Sequence, residues 1–78
     1  MSQKEQILDF VKRHGSITPQ DAMDYIVPKC YRLGARVPEI NERLLGWTDH
    51  HIINENPMGK YARYRFETDE ERDDRLNG

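Results

Sequence analysis

The first part of the chain repeats its apolar residues with the period of a helix. Over Gln3–His14, Ile7 and Val11 lie one turn apart among charged side chains. This spacing predicts an amphipathic helix of about three turns. Gly15 follows at the position where helices often end in a glycine of left-handed conformation, so we expect the helix to stop there.

A second helix is predicted to begin just after this glycine. Thr18 is a good N-cap, Pro19 fits the first helical position, and Asp21 places an acid in the first turn. The apolar residues that follow end at Ile26. Pro28 prevents the helix from running much further, because proline disfavours a helical residue before it.

The clearest helical pattern covers Cys30–Leu45. Its apolar residues, which form one stripe of a helix, are Leu33, Val37, Ile40 and Leu44. Pro38 disturbs this pattern, because a proline inside a helix removes a hydrogen bond and clashes with the preceding turn. Two arrangements satisfy the sequence: a helix that kinks at Pro38, or an irregular first turn after which Pro38 opens the regular part.

The last apolar pattern has the two-residue period of strands. His50–Glu55 contains a pair of isoleucines, and Tyr61–Phe66 alternates arginines with aromatic or small side chains. Residues 56–60 between them have turn-forming composition, so the two segments predict a β-hairpin. Because two strands alone are marginally stable, we expect Tyr64, Phe66 and one isoleucine to pack on the helices.

The charge is distributed unevenly along the chain. The formal net charge is -2, which argues against a nucleic-acid binder. However, residues 67–78 hold six acids and two arginines, or -4, so residues 1–66 carry +2, from ten basic and eight acidic residues. We predict a domain at residues 1–66 and an acidic, disordered C-terminal tail at residues 67–78. The alternative is a short helix across Asp69–Leu76, which Glu70, Glu71, Arg72 and Arg75 favour but which has too little apolar surface to anchor it. The tail either only solubilises the protein, or it contacts a partner or competes with nucleic acid for the basic surface.

The composition excludes most large classes of protein. At 78 residues and 36% hydrophobic, the chain has enough material for one small domain with a modest core. No apolar run approaches the roughly 18 residues that span a bilayer, and the N-terminus lacks the apolar stretch of a signal peptide. Cys30 is the only cysteine, so no intrachain disulfide forms and a cytoplasmic location is expected.

Candidate catalytic or metal-ligating residues are few and poorly spaced. They are His14, Cys30, His50 and His51, which lack the paired spacing of a zinc site. No glycine-rich loop of the kind that cradles phosphates is present. We therefore predict that the protein is not an enzyme and uses no metal or other cofactor.

The order of the predicted elements is that of an α+β winged helix-turn-helix domain, three helices followed by a two-stranded hairpin, the wing. The residues also resemble a family. Residues 15–22, Gly-Ser-Ile-Thr-Pro-Gln-Asp-Ala, look like the opening of small helix-turn-helix proteins of bacteriophages and prophages. Residues 31–37 are similar to the family's Arg-Leu-x-Ala-Arg-Ile signature, and residues 59–64 to its Gly-Lys-x-x-x-Tyr wing ending. The resemblance covers residues 3–66 and implies DNA binding by the third helix and the wing.

Two sets of residues are the candidates for contacting double-stranded DNA. The first, expected in the first turns of the third helix, is Lys29, Tyr31, Arg32 and Arg36. The second, on the hairpin, is Lys60, Arg63 and Arg65. Thr18, at the start of the second helix, is expected to help bind another phosphate. The alternative is that these arginines pair with nearby acids, Asp21, Asp24, Glu39 and Glu42, and only solvate the surface.

Two functions of different kinds are consistent with the sequence. The first is a small DNA-binding regulator or excision factor of a phage or prophage in the bacterial cytoplasm, which would need a homodimer or repeated sites for specificity. The second is a protein-interaction module on the same scaffold that binds and inhibits a host protein. We expect Trp47 to cover the joint between the third helix and the hairpin. An exposed Trp47 would instead favour a protein contact.

Overall fold

A computed structural model describes all 78 residues of the chain. Its elements are α1 (Gln3–His14), β1 (Ser16–Ile17), α2 (Pro19–Tyr25), α3 (Leu33–Arg43), β2 (Ile52–Asn54), β3 (Tyr64–Phe66) and α4 (Asp69–Asn77). The predicted α+β arrangement of three helices followed by a hairpin wing is confirmed. The structure adds a third strand, β1, and a fourth helix, α4.

The bounds of α1 follow from signals at both of its ends. Ser2 is the N-cap: its hydroxyl accepts from the backbone N–H of Glu5, and the Glu5 carboxylate accepts from the backbone N–H of Ser2. Gly15 ends the helix with φ of 88° and donates its N–H to the carbonyl of Val11. Because this φ is easily adopted only by glycine, the residue stops the helix where the sequence predicts.

The third helix starts later than the sequence predicts. α3 begins at Leu33, and Arg32 before it has φ -128° and ψ 56°, outside the helical region. Cys30 is buried and donates its backbone N–H to the carbonyl of Ala22, which holds the connecting segment against α2. The helix runs through Pro38 to Arg43, so its regular part does not open at the proline.

The three strands form one small antiparallel sheet in the order β1-β3-β2. Ile17 pairs with Tyr64, and Ile52 pairs with Phe66. The prediction of a two-stranded hairpin was incomplete, because β1 has only two residues and is extended through its pairing with β3, which is distant in sequence. This third strand connects the wing to the end of α1.

Every helix and strand except β3 and α4 contributes at least one apolar side chain to the core. Its ten buried residues are Ile7, Val11, Ile17, Ala22, Ile26, Cys30, Leu33, Val37, Ile40 and Ile52. Tyr64 and Phe66 pack against this cluster, as predicted, and Ile52 is the isoleucine that joins them. Leu44, expected in the helical stripe, is 41% exposed because α3 has already ended.

The C-terminal segment adopts the alternative that the sequence favoured less. Instead of a disordered tail, residues 69–77 form α4, whose N-cap Thr68 makes a reciprocal pair of hydrogen bonds with Glu71. No residue of α4 is buried, so apolar packing does not hold it in place. Ion pairs from Arg65 to Glu71 and from Arg75 to Glu67 attach it to the sheet instead.

Candidate nucleic-acid interface

The third helix and the wing are held together by specific contacts. The Asn41 side chain donates to the carbonyl of Ile52 and accepts from its backbone N–H, both at 2.8 Å. At the other end of α3, a Cβ added to Gly34 would lie 3.1 Å from the hydroxyl oxygen of Tyr64. The start of α3 is therefore adjacent to β3, with no room for a larger side chain between them.

Three of the residues predicted in the first turns of the third helix lie outside it. Lys29, Tyr31 and Arg32 belong to the connection between α2 and α3. That part of the prediction was wrong because Cys30 is used as a core residue and its N–H is bonded to α2, which keeps the segment from helical geometry. All three side chains are exposed, and no carboxylate oxygen lies within 4.0 Å of the charged nitrogens of Lys29 or Arg32.

Two glutamines of α1 hold this connection in position. The Gln6 amide donates to the carbonyl of Val27 at 2.6 Å and accepts from the Val27 N–H at 2.9 Å. The Gln3 amide donates to the carbonyl of Pro28 at 3.0 Å. The backbone directly before Lys29 is thus bonded to α1. These bonds fix the position of the segment that carries the exposed cations Lys29 and Arg32.

Arg36 is occupied by contacts inside the protein. It is the one member of its predicted set that lies in α3, and its Nη1 is 2.8 Å from the Glu39 carboxylate. Its Nε donates to the Gln3 side chain. Lys4 also pairs with Glu39 at 3.0 Å, and this hydrogen bond, followed by that of Arg36, holds the pKa of Glu39 below its ordinary value. Arg36 therefore lies in an ion-pair cluster that joins α3 to α1.

Thr18 is also occupied, in this case by the cap of α2. Its hydroxyl accepts from the backbone N–H of Asp21, and its own N–H donates to the Asp21 carboxylate at 3.0 Å. The carboxylate at this helix start would repel a phosphate. Thr18 does line an open depression of about 460 Å³ with wing residues that include Tyr61 and Arg63, so the structure brings it close to the hairpin.

The turn of the wing is exposed and basic. Lys60 has no carboxylate within 4.0 Å, and its ammonium lies 5.5 Å from the ring centre of Tyr61. Tyr61 itself is 74% exposed, and the sequence analysis did not include it among the candidate residues. The Arg63 side chain is 59% exposed and its nearest acid is Glu55, at 3.7 Å. Tyrosine, lysine and arginine side chains are all common phosphate contacts in complexes with duplex DNA.

Arg65 lies in β3, whereas Arg63 comes just before that strand, and four of the five N–H donors of Arg65 are in use. Its guanidinium contacts Glu71 at 2.8 and 3.3 Å, Glu55 at 3.4 Å and the carbonyl of Phe66 at 3.0 Å. The hydrogen bond that Arg65 donates to Glu71 is the main reason why the pKa of Arg65 is raised. The predicted set Lys60, Arg63 and Arg65 is thus divided into an exposed part and a paired part.

The outward face of α3 carries no cation. Its exposed residues, which project away from the core stripe of the helix, are Ala35, Pro38 and Glu42. Of the basic residues on the helix, Arg36 lies on the side towards α1 and Arg43 is at the last position. A helix face of this composition offers apolar and acidic groups and no arginine for reading a base pair.

Trp47 does not cover the joint between α3 and the hairpin, as the sequence analysis expected. It is 68% exposed, and it borders an open depression lined also by Pro38 and Leu45. The contact that the indole does make is with Arg75 of α4, whose guanidinium carbon lies 5.2 Å from the ring centre. Arg75 also donates to the Trp47 carbonyl at 2.9 Å, so α4 holds the backbone at this position.

Neither a metal-ligand cluster nor a membrane-spanning helix is found in the structure. No group of three or more His, Cys, Asp or Glu side chains is arranged to hold a metal ion. None of the four helices has the length and apolar character needed to cross a membrane.

Comparison with known proteins agrees with this architecture. A search of curated proteins and a search of solved structures give no significant match. A family model described as a winged helix-turn-helix domain matches residues 2–68, which cover α1 to β3 and the buried Glu67. Domains of this fold commonly bind DNA. The chain belongs to the winged helix-turn-helix domain family.

Proposed function

We propose that this protein binds double-stranded DNA through the α2–α3 connection and the turn of the wing. The observation that carries the proposal is the state of Lys29, Arg32 and Lys60. All three are exposed and have no carboxylate within 4.0 Å of their charged nitrogens. Such cations can bind phosphates without breaking an internal ion pair, and the release of counterions from DNA would favour the complex.

The composition of the site supports contact with the DNA backbone more than base reading. Arg63 and the exposed ring of Tyr61 extend the basic turn of the wing. The outward face of α3, which carries the exposed and unpaired Glu42, would approach base edges only against the repulsion of nearby phosphates. We therefore infer a strongly salt-dependent complex with modest sequence preference, in which Arg32 is the best placed residue for a base edge.

The biological role follows from the resemblance of the motifs to phage and prophage proteins. We infer a small regulator or excision factor that acts on DNA in the bacterial cytoplasm. One domain of this size covers little DNA, so useful specificity requires a homodimer or repeated binding sites. The domain responsible is proposed to be residues 1–66, with the C-terminal segment as an acidic addition.

The experiment is a fluorescence polarisation titration of a labelled DNA duplex at several salt concentrations. The double variant Arg32→Ala/Arg63→Ala should bind more weakly, and its salt dependence should be flatter by about 0.9 in slope for each lost phosphate contact. The matched control is Lys12→Ala/Arg13→Ala, which removes two charges from the end of α1 and should retain the wild-type slope. Equal slopes in all three proteins would contradict the proposed site.

A second function is favoured by one observation, the exposure of Trp47. The indole is 68% exposed beside Pro38 and Leu45, on the side of α3 that lacks cations. Tryptophan is enriched among the residues that dominate protein–protein contacts. A host protein with a basic, partly apolar segment would complement Glu42 and Trp47 on this surface. Binding and inhibition of such a protein is the alternative function.

Pull-down from bacterial lysate after nuclease treatment tests this alternative. A host protein retained by the wild type and by Tyr31→Ala, but lost with Trp47→Ala, would support it. Tyr31 is the matched control, because it is another exposed aromatic residue, 74% exposed, and lies in the α2–α3 connection. Recovery of the same proteins with all three baits would contradict a contact at Trp47.

A further inference from the structure

Helix α4 covers one cation of the wing. The Arg65 guanidinium donates from Nη1 to one oxygen of the Glu71 carboxylate at 2.8 Å and from Nη2 to the other at 3.3 Å. Its remaining contacts are to Glu55 and to the carbonyl of Phe66. Arg63, two residues before Arg65 and just outside β3, has only the longer contact to Glu55. Among the acids, Glu55 contacts both arginines and only Glu71 distinguishes them.

The placement of Glu71 is set by local and tertiary contacts together. The backbone N–H groups of Thr68 and Glu71 bond reciprocally to the side chains of Glu71 and Thr68, which fixes the first turn of α4. Near the other end of the helix, Arg75 bonds to the buried Glu67 and to the carbonyls of Trp47 and Asp49. Because α4 is attached at two separate points, the contact between Glu71 and Arg65 can open while the helix stays docked through Arg75.

We propose that Glu71 is an internal competitor of DNA, which occupies Arg65 until a phosphate replaces the carboxylate. This regulation rests on the proposed DNA binding. Both groups present oxygens that match the planar guanidinium, so a phosphate can take the same two donors. While Glu71 is paired with Arg65, it neutralises one positive charge of the wing and so weakens DNA binding. Anything that moves α4 or neutralises Glu71 should therefore strengthen DNA binding.

A local competitor differs from a general acidic field in a measurable way. Residues 67–78 carry a net charge of -4, so removal of any acid there would somewhat reduce repulsion of DNA. Only removal of Glu71 would also release the Arg65 donors that it holds, and Arg65 would then keep only the longer acidic contact to Glu55 at 3.4 Å. Glu70 is the matched control, because it is exposed, is the neighbouring residue on the same helix, and makes no hydrogen bond or ion pair.

The test uses the full chain with Glu71→Gln, Glu70→Gln and Arg65→Gln/Glu71→Gln. Glutamine keeps the capping hydrogen bond to Thr68, so the first turn of α4 is retained. Affinity for a labelled duplex is measured at roughly 50 to 200 mM salt, the range over which phosphate contacts are resolved. Glu71→Gln should bind at least about threefold more tightly than Glu70→Gln, with a salt dependence steeper by about 0.9, as for one added phosphate contact.

The double variant separates release of Arg65 from undocking of α4. If the gain arises from Arg65, Arg65→Gln/Glu71→Gln should lose it and bind no more tightly than the wild type. A gain that persists in the double variant, or one that is equal in Glu70→Gln and Glu71→Gln, would overturn the competitor while leaving DNA binding intact. Absence of binding by the wild type and every variant at the lowest salt would overturn both proposals.

Discussion

The guanidinium of Arg75 and the carboxylate of Glu67 form the ion pair that attaches α4 to the winged domain. Nε of Arg75 lies 2.9 and 3.2 Å from the two carboxylate oxygens, and Nη2 lies 3.1 Å from one of them. Glu67 is buried, with 7% exposure, and also accepts from the backbone N–H of His51. Burial raises the pKa of Glu67, but the hydrogen bonds from Arg75 and His51 together outweigh it, so this pKa is lowered.

Loss of the Arg75 side chain should therefore destabilise the domain. In Arg75→Met the buried Glu67 carboxylate would keep only its bond from His51, and we expect a loss of about 1–3 kcal/mol in the free energy of unfolding. Urea unfolding measures it. The control is Arg13→Met, whose side chain is 73% exposed and whose loss should cost less than about 0.5 kcal/mol. Equal stability of the two variants would contradict the contact.

The ion pair between Glu71 and Arg65 should make stability depend on pH. The hydrogen bond from Arg65, followed by that from the Thr68 backbone, lowers the pKa of Glu71 from 4.5 to about 2. Because the folded-state pKa is depressed, the stabilisation is complete above the unfolded value and is lost as the pH falls through the folded value. The stability difference between wild type and Glu71→Gln should thus be constant above about pH 5, decline below about pH 4.5 and vanish near pH 2.

An NMR titration of the Glu71 carboxyl provides the control for this pH dependence. In Arg65→Gln the pKa of Glu71 should move back towards 4.5, because its largest cause is removed. A pKa that stays near 2 in this variant would show that the Thr68 backbone alone accounts for the shift.

Asn41 should be the most sensitive polar position between α3 and the wing. Its amide satisfies both backbone groups of Ile52, at 2.8 Å each, where the strand packs on the core. Asn41→Leu would leave a buried N–H and carbonyl unpaired, so we expect a loss of about 1–3 kcal/mol by chemical denaturation. Glu42→Leu, an exposed neighbour on the same helix, is the control and should change stability by less than about 0.5 kcal/mol.

Gln6 should affect mobility more than stability. Its amide makes both hydrogen bonds to Val27, so Gln6→Ala frees the backbone that leads to Lys29 and Arg32. Faster amide hydrogen exchange over residues 27–32 is expected, with α1 and the sheet unchanged. The Gln6→Ala variant should also bind DNA more weakly, because the entropy lost in ordering the α2–α3 connection would then oppose binding. Gln20→Ala, which loses only an exposed contact to Asp24, should leave exchange in this segment at the wild-type rate.

The helical and hairpin segments were predictable because their signals are local. The bounds of α1 match the prediction, since Gly15 supplies the stop within the segment itself. The start of α2 follows in the same way from Thr18, Pro19 and Asp21, whose cap is formed by residues three apart. The positions of Tyr64 and Phe66 against the core follow from the two-residue period of a strand.

The features that the sequence analysis missed depend on residues that are distant in the chain. α3 begins at Leu33 because Cys30 is held against Ala22, and β1 exists because Ile17 pairs with Tyr64. Neither contact leaves a periodic signal in the segment that it shapes. For α4 a helix was an alternative on local grounds, and Thr68 and Glu71 have the spacing of a capping box. What no local signal indicates is that ion pairs with distant residues dock this helix.

The candidate site likewise has features that follow from the sequence and features that only the fold decides. Residue types alone identified the basic positions, including Lys29, Arg32 and Lys60, which are exposed and unpaired. The pairing of Arg36 with Glu39 and of Arg65 with Glu71 came from the fold, as did the exposure of Trp47. The sequence shows where the charged residues lie along the chain. Whether an arginine is available to bind DNA depends on which acid lies within a few ångströms of it after folding, and that distance is set by packing.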